Sequence, residues 1–151
     1  MPNLYGVANA PNILAASNGL LGGANMTLVS GPETNIADSG ALVAPSQGWF
    51  YPIVLATVPW QAVTAAPLGF IYAARIGAGA DFDGFNYNVT GVTVGPVYTW
   101  TVILIGPAST VPWQGAGSHI YTTAILNSAG TVTLFNQGSH FVAGLLRAPD
   151  Q

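Results

Sequence analysis

The sequence contains no cysteine and no lysine, and its charged residues are limited to two arginines and five acidic side chains among 151 residues. Without cysteine, neither a disulfide framework nor a thiolate metal site can form. Charged residues make up 5% of the chain, whereas an ordinary soluble domain has about 25%. Because phosphate recognition needs several basic side chains on one face, Arg75 and Arg147 are too few for a nucleic-acid-binding protein.

Long apolar runs are also missing, although half of the residues are hydrophobic and the mean hydropathy is +0.47. The longest run, Ala62–Ala80, is interrupted by Pro67 and Arg75, whereas a spanning helix needs roughly 20 apolar residues. No membrane partner is expected, and the residues Met1–Tyr5 do not resemble the start of a signal peptide. The apolar excess therefore predicts that much of the outer surface is buried against other chains.

The length of the chain predicts one domain, preceded by a segment of different composition. Residues 1–46 are rich in Asn, Ala, Gly and Ser, and in this segment we expect a strand only over Met26–Ser30. Such small side chains bury little area, so we interpret residues 1–46 as an extended N-terminal arm that lies on a neighbouring subunit. The alternative is a loose tail or an irregular cap on the same domain.

Residues 47–151 have the pattern of a β domain, with β-branched and aromatic runs separated by Gly, Pro, Asn and Asp. No window shows the apolar repeat of an amphipathic helix. Seven or eight strands of this kind predict an all-β sandwich or jelly-roll-like domain. The predicted strands are Trp49–Thr57, Leu68–Ile76, Tyr87–Val94, Val97–Ile105, His119–Leu126, Thr131–Phe135 and His140–Arg147.

A pentapeptide occurs twice, since Thr57–Gln61 and Thr110–Gln114 both read Thr-Val-Pro-Trp-Gln. Further matches in the same order around each copy predict an internal duplication, with approximate repeats over 47–96 and 98–147. We expect two similar half-sheets, with each Pro-Trp pair at a corner where the chain leaves a strand, because proline fixes φ there.

One stretch has oxygen ligands at alternate positions. Asp81, Asp83, Asn86 and Asn88 are the candidate ligands for a calcium ion, which takes six to eight oxygens. The closing glutamate of an EF-hand loop is absent, however. The alternative, which we favour, is a β-turn with no metal or cofactor, in which the neighbouring aromatic side chains pack inward.

Catalytic candidates are few. Ser118-His119 and Ser139-His140 each precede an apolar strand, but adjacent residues of a strand point to opposite faces and cannot form a serine–histidine hydrogen bond unaided. We therefore expect no enzymatic activity. The tryptophans, tyrosines and asparagines could instead form a sugar-binding face, although packing in the core explains the same residues.

The low charge, the Asn/Ala/Gly-rich arm and the β body with its doubled Thr-Val-Pro-Trp-Gln resemble the decoration (auxiliary) capsid proteins of long-tailed bacteriophages that infect thermophilic bacteria. The resemblance covers the whole chain in length and character and includes no catalytic motif. It implies a β-rich homotrimer on the capsid exterior, at threefold positions, that clamps the major capsid protein of the same virion.

We therefore expect a structural virion protein that stabilises a capsid shell. Large apolar interfaces with few charges to desolvate suit a protein that holds a shell together. One alternative is a receptor- or glycan-binding β module of a phage tail or fibre. Another is a jelly-roll coat subunit that assembles a shell by itself.

Overall fold

The computed structural model describes residues 13–42, 49–64, 68–108 and 119–148. These residues form strands and connections, with no helix among them. The strands are β1 (Ile13–Asn18), β2 (Met26–Val29), β3 (Glu33–Asp38), β4 (Phe50–Ala62), β5 (Leu68–Ile76), β6 (Asp81–Val89), β7 (Val97–Ile105), β8 (Ile120–Leu126), β9 (Thr131–Leu134) and β10 (His140–Arg147).

The strands form two antiparallel sheets, which confirms the all-β fold class. One sheet has the order β1-β10-β4-β9-β2, with β7 on the other side of β4, and the second has the order β3-β8-β5-β6. Buried residues of both sheets form one hydrophobic core. Strands that follow each other in the chain often belong to different sheets. Most contacts therefore join residues that are distant in sequence.

The described part of the predicted arm, residues 13–42, is paired with strands of its own chain. β1 pairs with β10, β2 with β9 and β3 with β8. This differs from the expectation of a single strand in an arm lying on another subunit. The small residues of β1 and β3 have weak intrinsic strand propensity, and hydrogen bonds to neighbouring strands hold them extended. Residues 1–12 and the predicted boundary at residue 46 lie outside the described residues.

Pro59 and Trp60 lie inside the long strand β4, so their predicted position at a corner is wrong. β10 pairs with β4 up to Thr57, and β9 pairs with β4 from Trp60. Pro59 therefore falls at the junction between two partner strands, where its missing N–H interrupts neither ladder. Its carbonyl oxygen still accepts the N–H of Phe135 at 2.9 Å. The second pentapeptide lies outside the described residues, and the duplication stays a prediction.

Aromatic side chains fill one end of the core. Trp60 stacks on Tyr98 with ring centroids 4.8 Å apart and meets Phe70 at 5.1 Å. Trp100 of β7 covers Tyr72 at 3.9 Å and Phe70 at 5.8 Å. Because Trp100 belongs to one sheet and the two residues that it covers belong to the other, this contact places β7 over β5.

Candidate functional site

The strand register brings eight small or apolar residues together on the outer face of the six-stranded sheet. Side chains directly opposite each other across paired strands point to the same face. One row across β1, β10, β4 and β7 consists of Leu14, Gly144, Ile53 and Ile105. The next row consists of Ala16, Val142, Leu55 and Ile103. We call these eight residues the apolar face.

Five residues of the apolar face are exposed, Val142 is half-buried, and Ile53 and Gly144 are buried. Leu14, Ile103 and Ile105 are 55%, 59% and 49% exposed, and Leu55 is 38% exposed. Four strands about 4.8 Å apart and two rows cover an area of roughly 300 Å². Apolar patches of this size on a monomer are often binding surfaces. No residue of the two rows carries a charge.

A polar row borders the apolar face on the same sheet. It consists of Asn18, His140, Thr57 and Thr101. The Asn18 Oδ1 and His140 Nδ1 atoms are 2.8 Å apart, and the hydroxyls of Thr57 and Thr101 are 3.3 Å apart. Beyond this row, β2, β9 and the end of β4 present Thr27, Thr133 and Gln61. The outer face therefore has an apolar half and a polar half, and the polar half also contains the exposed Val97, which pairs with Gln61.

The four predicted metal-ligand candidates do not converge on one point. All lie on β6, a strand where we had expected a turn, and pairing with β5 fixes their directions. Asp83 pairs with the inward-facing Ala74, whereas Asn86, Asn88 and Asp81 pair with residues of the opposite face. Asp83 and Asn88 are also about 17 Å apart along the strand.

Asp83 has a different role in the structure. Its Oδ2 atom accepts the backbone N–H of Ile105 at 2.8 Å, and its Oδ1 atom accepts the N–H of Gly84 at 2.8 Å. The described residues contain no cluster of three or more His, Asp or Glu side chains that could hold a metal ion.

The two histidines lie in different sheets. His119 precedes β8, and its Nδ1 atom is 2.7 Å from Asp38 Oδ1. His140 begins β10 and contacts Asn18, as described above. The Ser139 hydroxyl is buried and donates to the carbonyl of Phe135 at 2.6 Å, so it does not contact His140. Ser118 lies outside the described residues.

A second exposed surface lies on β6, at the open side of the sandwich. Phe85 and Tyr87 point to the same side as the core residues Tyr72 and Phe70, with which they pair. They are nevertheless 49% and 38% exposed, although we had expected both to pack inward. Their rings are 6.3 Å apart and nearly parallel. Among the described strands, the six-stranded sheet ends at β7 and does not extend over β6, which leaves both rings exposed.

Beneath this aromatic pair, two polar groups are buried without a partner among the described residues, namely the Tyr72 hydroxyl and the Trp100 indole N–H. Burial raises the pKa of Tyr72 far above its ordinary value, and the neighbouring Tyr87 raises it further. The phenol therefore stays neutral in the folded protein.

No protein-family model matches the sequence, and no curated protein is significantly similar to it. The described residues contain no helix that is long and apolar enough to cross a membrane. The functional interpretation therefore rests on the surfaces described above.

Proposed function

We propose that the protein is a structural, non-enzymatic virion protein that binds the outside of a bacteriophage capsid shell and stabilises it. The observation that carries this proposal is the apolar face, a patch without charged residues on strands that pair without register shifts. Binding of such a face releases water from apolar surface and desolvates no charged group of this chain. The partner that fits it is an apolar area on the outer surface of the major capsid protein.

A homotrimer would present enough apolar area for a stable interface with the shell. One patch of roughly 300 Å² is smaller than a stable interface, which buries about 800 Å² on each partner. Three copies held together present about 900 Å², and their linkage turns the second and third contacts into intramolecular events. We therefore propose a trimer that docks on a threefold or quasi-threefold position of the shell.

Docking is tested with capsids of the virus that encodes this chain, stripped of the protein and mixed with purified variants. Leu55→Lys places a charge in the centre of the apolar face, and its burial without a partner is costly at each of three sites. We expect at least about a hundredfold weaker binding in a sedimentation assay. Thr27→Lys adds the same charge to the polar half of the same sheet and should bind like the wild type. Equal binding by both variants would contradict docking through the apolar face.

The exposed pair Phe85 and Tyr87 favours a second candidate function, a glycan-binding module of a tail or fibre. Aromatic rings provide flat apolar surfaces for sugars, and the inner face of β6 offers two neighbouring rings. Binding of host-cell glycans by the isolated protein, and its loss in the Phe85→Ala variant, would support this function over the first one.

A further inference from the structure

Two hydrogen-bonding groups are buried next to the exposed rings of Phe85 and Tyr87. The hydroxyl of Tyr72 and the indole N–H of Trp100 have no hydrogen-bond partner among the described residues, although the two residues are only 1% and 5% exposed. Most buried polar groups in proteins are paired, because an unpaired one destabilises the folded state. Two unpaired groups at one place therefore indicate a site where a ligand supplies the partners.

Both groups belong to rings that meet at the open side of the sandwich. The ring centroids of Tyr72 and Trp100 are 3.9 Å apart, and this contact joins β5 of one sheet to β7 of the other. Phe85 lies directly opposite Tyr72 on the adjacent strand β6, so both side chains point to the same face. A ligand that rests on the exposed ring of Phe85 is therefore a neighbour of the Tyr72 ring.

The polar and apolar groups at this side match the chemistry of a sugar. The Tyr72 phenol both donates and accepts hydrogen bonds, whereas the Trp100 indole only donates. Burial raises the pKa of Tyr72, so its hydroxyl keeps the proton. A sugar hydroxyl accepts from the indole and bonds to the phenol in either direction. The rings of Phe85 and Tyr87, 6.3 Å apart and nearly parallel, provide apolar surface for the C–H groups of a pyranose.

The charges around this side favour a neutral ligand. Neither β6 nor β7 contains a basic residue, so a carboxylate or sulfate group would meet no opposite charge on these strands. Asp83 is the inward-facing acidic residue of β6, and its two carboxylate oxygens already accept the N–H groups of Gly84 and Ile105. A hydroxyl-rich ligand without charge therefore fits the site better than an acidic sugar.

We propose that the open side between β6 and β7 binds a neutral pyranose, which lies on Phe85 and Tyr87 and forms hydrogen bonds through its hydroxyl groups to Tyr72 and Trp100. Tyr87 is half-open to solvent and turns aside to admit these hydroxyl groups, since exposed side chains change rotamer within nanoseconds. The inference deepens the glycan-binding candidate function and rests on it. It is independent of capsid docking through the apolar face.

Nuclear magnetic resonance of the isotope-labelled protein tests the site directly. The four tryptophans give four indole N–H signals, and sequential assignment identifies the one of Trp100. The probes are the methyl glycosides of glucose, galactose, mannose and N-acetylglucosamine, with that of sialic acid as the charged comparison. We expect a saturable shift of the Trp100 signal with at least one neutral sugar. No such shift with any of them, or equal or tighter binding of the sialic acid glycoside, would overturn the proposal.

The Tyr72→Phe variant separates a binding role from a structural one. It removes one hydroxyl and keeps the ring, so we expect binding of the sugar to weaken about three- to tenfold through the lost hydrogen bond. Its stability to urea should be unchanged or higher, because a buried hydroxyl without a partner is removed from the unliganded protein. Tyr121→Phe removes a phenol from β8 and should keep the wild-type affinity. Wild-type affinity in Tyr72→Phe would overturn the proposal.

The outcomes also distinguish this inference from the functions proposed above. Loss of sugar binding in Phe85→Ala, together with wild-type affinity in Tyr72→Phe, would mean that a sugar binds on the rings alone. The glycan-binding candidate would then stand and the inference would fail. If the wild type binds none of the sugars, both fail. Capsid docking is measured separately with the Leu55→Lys variant, and neither result changes it.

Discussion

The carboxylate of Asp83 on β6 accepts the backbone N–H of Ile105 on β7 at 2.8 Å, and this bond joins the edges of the two sheets. Among the strands that the structure describes, β6 and β7 are each the last strand of their sheet on this side. The bond therefore links the two sheets at this end, and it occupies one donor of the β7 edge.

Replacement of Asp83 should lower stability. Asp83→Ala removes a charge-assisted hydrogen bond that is partly open to water, and we expect the free energy of unfolding to fall by about 1 kcal/mol. Denaturation with urea measures the change. Asp81→Ala, on the same strand and at an exposed side chain, should have an effect below about 0.5 kcal/mol. Equal losses in the two variants would argue against the Asp83–Ile105 bond.

Tyr72 should make the protein sensitive to alkaline pH. The pKa of its phenol is raised in the folded state, whereas the phenol ionises near pH 10 in the unfolded chain. Its contribution to stability is therefore complete below about pH 10 and falls at higher pH by about 1.4 kcal/mol per pH unit.

The Tyr72→Phe variant should remove this alkaline loss. It also removes a buried hydroxyl without a partner among the described residues, so we expect unchanged or higher stability at pH 7. Urea denaturation at pH 7 and pH 11 compares it with the wild type and with a control, Tyr121→Phe, at a half-buried tyrosine of β8. A pH dependence of Tyr72→Phe identical to that of the wild type would show that Tyr72 is not the responsible group.

Gly106 should not tolerate a side chain. A Cβ atom there would lie 2.6 Å from Cγ of Pro52 and 2.8 Å from Cδ2 of Phe82. Gly106→Ala should therefore destabilise the protein by about 1–3 kcal/mol, because Phe82 must move.

Gly84→Ala is the matched control for this prediction, since the nearest atom to its Cβ is the Tyr72 carbonyl oxygen at 3.5 Å, an ordinary contact. Thermal unfolding compares the two variants. A melting temperature of Gly106→Ala at or above that of Gly84→Ala would be inconsistent with the close packing around Gly106.

The sequence predicts those strands whose own residues have a high propensity for extended structure. β5, β7 and β10 were predicted with their observed bounds, because a Pro or Ser comes directly before each of these β-branched and apolar runs. β6 was misplaced, since Asp83-Gly84 is typical of a turn. β1 and β3 were missed because neighbouring strands stabilise their small and polar residues.

The apolar face could not be predicted from the sequence. Its rows combine Leu14, Leu55, Ile103 and Val142 from four strands that are distant in the chain, and only the register brings them to one side. Low charge predicts that apolar surface is buried against another chain, but it does not specify which surface. The directions of the four metal-ligand candidates on β6 could not be predicted either, because they depend on the pairing of β6 with β5 and on its register shift.

The central claim is that this protein stabilises a capsid through the apolar face, and the temperature at which capsids release DNA tests it most directly. Capsids stripped of the protein are heated alone, with the wild type, with Leu55→Lys or with Thr27→Lys, and a DNA-binding dye reports release. The account predicts a higher release temperature with the wild type and with Thr27→Lys, and no increase with Leu55→Lys. The same release temperature with and without the wild-type protein would contradict it.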